Sequence, residues 1–498
     1  MRVSIRLAAA VLGAAATIGA PAGASAADRL HVSARPALFP AFDPAVHDYV
    51  SRCGATGGID LTVSSPDGAQ ARIDGGPARP GTFTQAVALG ASQATKVAAS
   101  SPSGTATYHV RCLPRTFPSF KAIRRGPTEA QWYLVGPVGH WAVFFGSSGA
   151  PVWWRRSDDA PFNPTLLSGD RLAWYPIPPH ALFGVWPGRR FEVRRLDGRL
   201  VRRIGTTGVP TDFHEIQELP NGHFLLDAYR PRDNVDLRKV RYTGGPKRSR
   251  VYFGEVQEVT RSGKLVWRWN SRGRIGIREA DPWWPRLVDA QKKLPRRKRR
   301  YDAVHINSIS PDPQGPGPDD DGLVISSRHT NAVYRIDRRT GEIDWKLGGL
   351  PAKRSLRVIG DVYSGESEFG GQHDVRVLPD GTITIYDNGR GEHRPRVVRF
   401  RVDREERTAT MLESIEEPDA DISLWQGGTR RLPGGNWATS WASQPFVTEM
   451  TPSGRRVFKL SFRDLTSSRV VPVPFGRLAP AKLRSAMDSM HPRRRARR

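Results

Sequence analysis

The chain has 498 residues, 38% of them hydrophobic and 25% charged, with a formal net charge of +27. The length exceeds that of one ordinary domain. The composition argues against disorder along most of the chain, and no stretch is long and apolar enough to span a bilayer. The charge favours anionic partners such as sulfate esters, wall polymers, lipid headgroups or stray nucleic acid. An arginine-rich surface accounts for it equally well, and no recognisable nucleic-acid module accompanies it.

In chain order, residues 1–26 read as an export signal. Arg2 and Arg6 supply the positive region, Leu7 to Ala16 the apolar run, and Ala24-Ser25-Ala26 a cleavage site. A secreted, extracytoplasmic protein without a transmembrane segment is therefore expected. The two cysteines, Cys53 and Cys112, then most simply form one disulfide. Cys112-Leu113-Pro114-Arg115 approaches a sulfatase signature, but Arg115 falls one position early, so Cys112 is read as structural.

Residues 28–115 alternate apolar and polar positions, as in Ile59-Asp60-Leu61-Thr62-Val63, between Gly, Pro and Ser turns. This predicts a small β-sandwich domain. Its segments Leu38 to Pro44 and Asp48-Tyr49-Val50 resemble the cadherin-like sandwich modules of secreted bacterial proteins.

A repeat follows over 128–468. Six strand–turn–strand hairpins run Val143–Trp154, Val193–Ile204, Val256–Trp269, Val333–Trp345, Val397–Met411 and Val447–Phe462. A second word, H-x-x-x-x-L-P-x-G, occurs at His214 to Gly222 and at His373 to Gly381. Residues 427–435 keep its Leu-Pro-Gly-Gly end, and His305 opens a fourth, longer copy. Repeated four-stranded units in an all-β chain are best closed radially, so the expected fold is a six-bladed β-propeller preceded by the sandwich. Insertions are expected at 231–250, at 279–300 as a short helix with a charged surface, and at 351–370 as a lid. Residues 469–498 are expected as a basic C-terminal tail.

In a propeller, equivalent positions of the inner strands form a ring at one depth. His214, His305 and His373 share one phase of the repeat, so the three imidazoles are predicted to meet at one mouth of the channel. Arg328 ends the strand after His305 and points the same way. Three His could hold Zn²⁺ with one position open. A neighbouring guanidinium disfavours a metal ion and favours an oxyanion. Nucleophilic catalysis by a neutral imidazole fits better, with cationic neighbours stabilising a transferring sulfuryl or phosphoryl group.

At these residues the chain resembles the bacterial arylsulfotransferase family. The words are His305-Ile306-Asn307-Ser308, Ile325-Ser326-Ser327-Arg328, Gly341-Glu342-Ile343-Asp344-Trp345, Gly371-Gln372-His373-Asp374 and Tyr386-Asp387-Asn388-Gly389. The resemblance implies a six-bladed propeller that moves a sulfuryl group from an aryl sulfate to a phenol without a nucleotide donor or other cofactor. It implies His373 as the transiently sulfated residue, His305 and Arg328 at the proton-transfer and sulfate-binding positions, Asn307 on substrate, and His214 as a further catalytic residue. The competing expectation is a non-catalytic secreted propeller that binds an anionic polymer or a partner protein on its basic faces.

Overall fold

The structure, a computed structural model, describes residues 30–493 apart from 56, 103, 138, 179–187, 241–244, 313–320, 364–368, 391 and 464. The export signal expected over 1–26 lies outside the described residues. The chain is all-β, with 52% strand against 9% helix. No helix among the described residues is long and apolar enough to cross a membrane.

Residues 31–112 form a three-stranded and a six-stranded sheet around one core. The alternation seen in the sequence is the reason: Ile59, Leu61 and Val63 face inward while Asp60 is exposed. Cys53 and Cys112 are joined across 59 residues and are both buried in this core.

Six further antiparallel sheets follow, each of at least four strands. The six predicted hairpins are the outer strand pairs of these sheets. The Leu-Pro-x-Gly words are the tight turns that follow three of the inner strands. In two of them Gly222 and Gly381 sit at φ 78° and 75°, a region costly for other residues, and donate to the carbonyls of Leu219 and Leu378 at 2.8 and 2.9 Å. The inner strands are Ser467–Pro474, Ala160–Leu167, Thr211–Glu218, Ile306–Asp312, His373–Val377 and Gly428–Arg431. Each contacts the next in this order, and the last contacts the first, so they line one central axis.

The expected tail is not one. Ser467–Pro474 pairs with Ala130–Pro137 and supplies the innermost strand of the first sheet. Pro480–Met490 is a helix that buries Leu483 and Met487 against that sheet. No H-x-x-x-x-L-P-x-G word marks this strand, and the charge of the final residues obscured an apolar run, Val470 to Val473. At the other end, Phe120–Arg124 covers the edge strand Arg456–Phe462 of the sixth sheet. The helix also ties the ring to the N-terminal sheets, through Arg484 to both carboxylate oxygens of Asp48 at 2.7 Å and Arg111 to Asp488 at 2.7 Å.

The insertion 279–300 is the short helix with a charged surface that was expected, with Arg296, Arg297 and Lys298 exposed. Its helix runs Trp284–Lys292 and buries Trp284 and Val288. The described part of 351–370 places Arg357–Ile359 parallel to Thr408–Glu416 on the outer edge of the fifth sheet, and residues 364–368 of the expected lid lie outside the described residues.

The axis is filled with ions, not with apolar side chains. Arg376 bonds Glu215 at 2.6 Å and Asp374 at 2.7 Å, Arg469 reaches the same two carboxylates at 3.3 and 3.2 Å, and Arg430 bonds Asp374. Arg469 also donates to the Asn307 carbonyl at 2.6 Å, and Arg376 to that of Ile309 at 2.8 Å. Five of the six inner strands are thereby linked. Burial opposes ionisation of Glu215, but Arg376 and Arg469 hold its carboxyl below the usual range. Removing one member strands buried charge. Glu215→Ala is expected to lower unfolding free energy by about 3–5 kcal/mol, read by denaturant titration.

Candidate functional site

His214, His305, Arg328 and His373 line one cavity of about 530 Å³ at an end of the axis. The His214 and His305 rings lie 4.8 Å apart between centroids. Each of the three imidazoles sits where its inner strand loses regular pairing, between Thr211 and Ile216, before Ser308, and between His373 and Arg376. His305 and Asp374 adopt left-handed backbone, φ 54° and 56°. The irregularity turns the side chains out of the sheet and toward the axis.

A partner on Nδ1 orients each ring. His214 Nδ1 lies 2.5 Å from Asp212, and His305 Nδ1 lies 2.6 Å from Asp302 and 2.9 Å from the Tyr229 hydroxyl. His373 Nδ1 lies 2.8 Å from Oδ1 of Asn388. The Asn388 amide nitrogen donates to Ser423 at 2.8 Å and to the Gln426 carbonyl at 3.0 Å, which leaves only its oxygen for His373. His373 therefore carries its proton on Nδ1 and keeps a lone pair on Nε2. Two rings are backed by carboxyl groups and one by a neutral amide.

Burial, then the charge of Arg328, holds His373 well below the ordinary histidine range. Burial, then His214 and Arg328, does the same for His305. Burial lowers His214 to about 4. Asp212 and Asp227 are both pushed well up by burial, and Asp227 also by the charge of Asp212. No donor reaches one oxygen of each.

Arg328 is fixed from three sides. Its guanidinium stacks 4.2 Å from the centroid of the Trp283 ring, donates to Nε2 of His329 at 2.9 Å and donates to the Leu424 carbonyl at 2.9 Å. Burial lowers its pKa to about 10, so it stays charged near neutrality. His329 lines the cavity, whereas His393 stacks on Tyr363 outside it.

Two clusters have ligand atoms close enough for a cation, Asp302 with His305 and His329, and Asp212 with His214 and Asp227. In the first, both ring nitrogens of His329 are engaged, one by the Asp302 carbonyl at 2.8 Å and the other by Arg328. In the second, His214 Nδ1 already bonds Asp212 at 2.5 Å.

Asn307 does not line the cavity. Fully buried, it donates to the carbonyl of Gln372 at 2.8 Å and so positions the residue before His373. Asp212, Asp302, Asn388, Trp283 and Trp425 belong to the site and were not singled out as such. Asp212 and Asp302 had a signal, an acid two or three residues before each histidine. Trp283 and Trp425 had none, because they reach the site from an insertion and a connecting loop.

Exchanging the amide behind His373 for a carboxylate favours the imidazolium. In Asn388→Asp the His373 ring is expected to titrate between about pH 5 and 8, where the wild-type ring stays neutral, as followed by nitrogen-15 NMR of labelled histidine.

The family description Arylsulfotransferase (ASST) matches residues 205–463, which include every residue of the cavity. No curated protein matches the sequence. Solved structures with a similar course include a Bacteroides caccae protein of unknown function, 11% identical over 69% of this chain and 99% of that one, TM-score 0.40. The periplasmic gluconolactonase PpgL of Pseudomonas aeruginosa is 13% identical over 69% and 99%, TM-score 0.39. The virginiamycin B lyase of Staphylococcus aureus is 11% identical over 73% and 90%, TM-score 0.35. Likenesses this distant carry nothing about activity. The match to residues 205–463 takes in more than half of the sequence, and the chain belongs to the arylsulfotransferase family.

Proposed function

We propose that the chain is an exported sulfotransferase, a six-bladed β-propeller with an N-terminal β-sandwich, which moves a sulfuryl group from an aryl sulfate to a phenol through a sulfated His373. The observation that carries this reading is the amide-backed, neutral His373 beside a fixed Arg328 in a cavity with two carboxyl-backed histidines.

In the first half-reaction the lone pair on Nε2 of His373 attacks sulfur and the sulfur–oxygen bond to the aryl group breaks. The phenolate leaves with the bonding pair, and Arg328 offsets charge on the sulfuryl oxygens. Water must be kept from the sulfated histidine, which the burial of His373 favours. In the second half-reaction the acceptor phenol gives its proton to His305, its oxygen attacks sulfur, and the sulfur–nitrogen bond breaks. Asp302 stabilises the imidazolium formed on His305, with His214 in ring contact beside it. His305 returns that proton to the next leaving phenolate, which restores the starting state.

Trp425, 51% exposed at the cavity mouth, offers a flat face for an aryl ring. The disulfide between Cys53 and Cys112 and the segment 1–26 support export.

With p-nitrophenyl sulfate and phenol, His373→Ala is expected to lose at least about a thousandfold in turnover while keeping its melting temperature. Donor alone is expected to add one SO₃ group to the wild-type protein, mapped to a peptide containing His373. An unchanged mass, or full turnover in the variant, removes His373 from the mechanism. Trp425→Ala is expected to raise KM for aryl donors about 3–10-fold with kcat nearly unchanged, as measured by steady-state kinetics.

A further inference from the structure

The two basic insertions, 231–250 and 279–300, meet in space. Tyr301 and Asp302 pair in parallel with Val251 and Tyr252, which brings the run Arg296–Arg300 against Lys247, Arg248 and Arg250. Between them lies a cavity of about 850 Å³. Lys247, Arg248, Arg250, Arg296 and Arg297 are exposed in it, and the one carboxylate in its lining, Asp233, is taken by Arg250 at 2.6 and 2.9 Å. Lys247, Arg248, Arg296 and Arg297 have no carboxylate partner among the described residues. Like charges gathered in one concavity repel each other and focus a positive field, which an anionic occupant relieves.

The cleft adjoins the histidine cavity. Arg300 lines both. The helix Trp284–Lys292 supplies Leu287, Ala290 and Gln291 to one wall of the histidine cavity, and the chain leaving it supplies the arginines of the cleft. Gln291 accepts the backbone N–H of Arg300 at 2.7 Å and fixes this junction.

We propose that the cleft binds a sulfated polysaccharide chain, one unit of which reaches past Arg300 into the histidine cavity. Several unpaired cations in a row suit a polymer with a charge on each unit better than one small aryl sulfate. A single-stranded nucleic acid is disfavoured, because the only aromatic residue in the lining is the buried Tyr301 and no ring is offered for base stacking. The binding stands on the cleft alone; its effect on turnover rests on the sulfuryl-transfer reading above.

The test titrates the full chain with a fluorescein-labelled dextran sulfate oligomer by anisotropy, at about 150 mM salt and above. The charge reversal Arg248→Glu, Arg296→Glu, Arg297→Glu is expected to weaken binding at least tenfold and to flatten its salt dependence. The same number of reversals on other exposed surface, Arg72→Glu, Arg401→Glu, Arg455→Glu, is expected to change it less than about twofold. The glutamine versions of the three cleft substitutions, less demanding on folding, are expected to follow the same ranking. Equal losses in both charge-reversal sets overturn the proposal, as does tighter binding of an oligonucleotide of equal charge or of a polygalacturonate of equal length. In wild-type protein the dextran sulfate is expected to raise KM for p-nitrophenyl sulfate, and an unchanged KM overturns the connection between the cavities. Anisotropy repeated with His373→Ala keeps the two readings apart, since a cleft that binds is unaffected by failure of the histidine chemistry.

Discussion

The ionic network on the axis is the constraint on which the rest of the structure depends. The six inner strands contact one another in turn around one axis. Apolar filling would give the sheets no preferred register against one another. Glu215, Asp374, Arg376, Arg430 and Arg469 instead bond across strands from the first, third, fifth and sixth sheets, and two of the arginines reach carbonyls of the fourth. Each bond is directional, so the strands are held at one relative height. The heights of His214, His305 and His373 follow, since Glu215 and Asp374 are the residues immediately after two of them.

Burial does the chemistry that the sequence could only suggest. An imidazole in water titrates near neutrality; taken out of water beside a fixed guanidinium, it stays neutral. The partners on Nδ1 then divide the roles. A carboxyl behind His305 favours a proton arriving on the far nitrogen, and an amide behind His373 does not. One residue type thus stands in two electrostatic settings within one cavity, the difference on which the proposed division into base and nucleophile rests.

Much of this was legible in the residues because both repeats are local. The hairpins and the Leu-Pro-x-Gly turns are specified within a dozen residues, by alternation and by glycine at positive φ. The phase of the histidines along the repeat foretold that they would share one cavity. What stayed hidden depends on contacts between distant segments. Asn307 shares a word with His305, yet its side chain turns away to hold Gln372. Trp283 reaches Arg328 from an insertion that carries no repeat. Ser467–Pro474 belongs to the first sheet although the rest of that sheet lies over three hundred residues earlier, and no periodicity marks such a partner.

That strand has a further consequence, for biogenesis. The first sheet draws its innermost strand from 467–474 and its other three from 130–156, so the ring stays open until the segment that comes last in chain order is in place. The helix 480–490 then lands on the N-terminal sheets and staples start to finish. Such a polypeptide cannot close prematurely on the ribosome. Closure of the ring waits on residues 467–474, which follow the other five sheets in chain order.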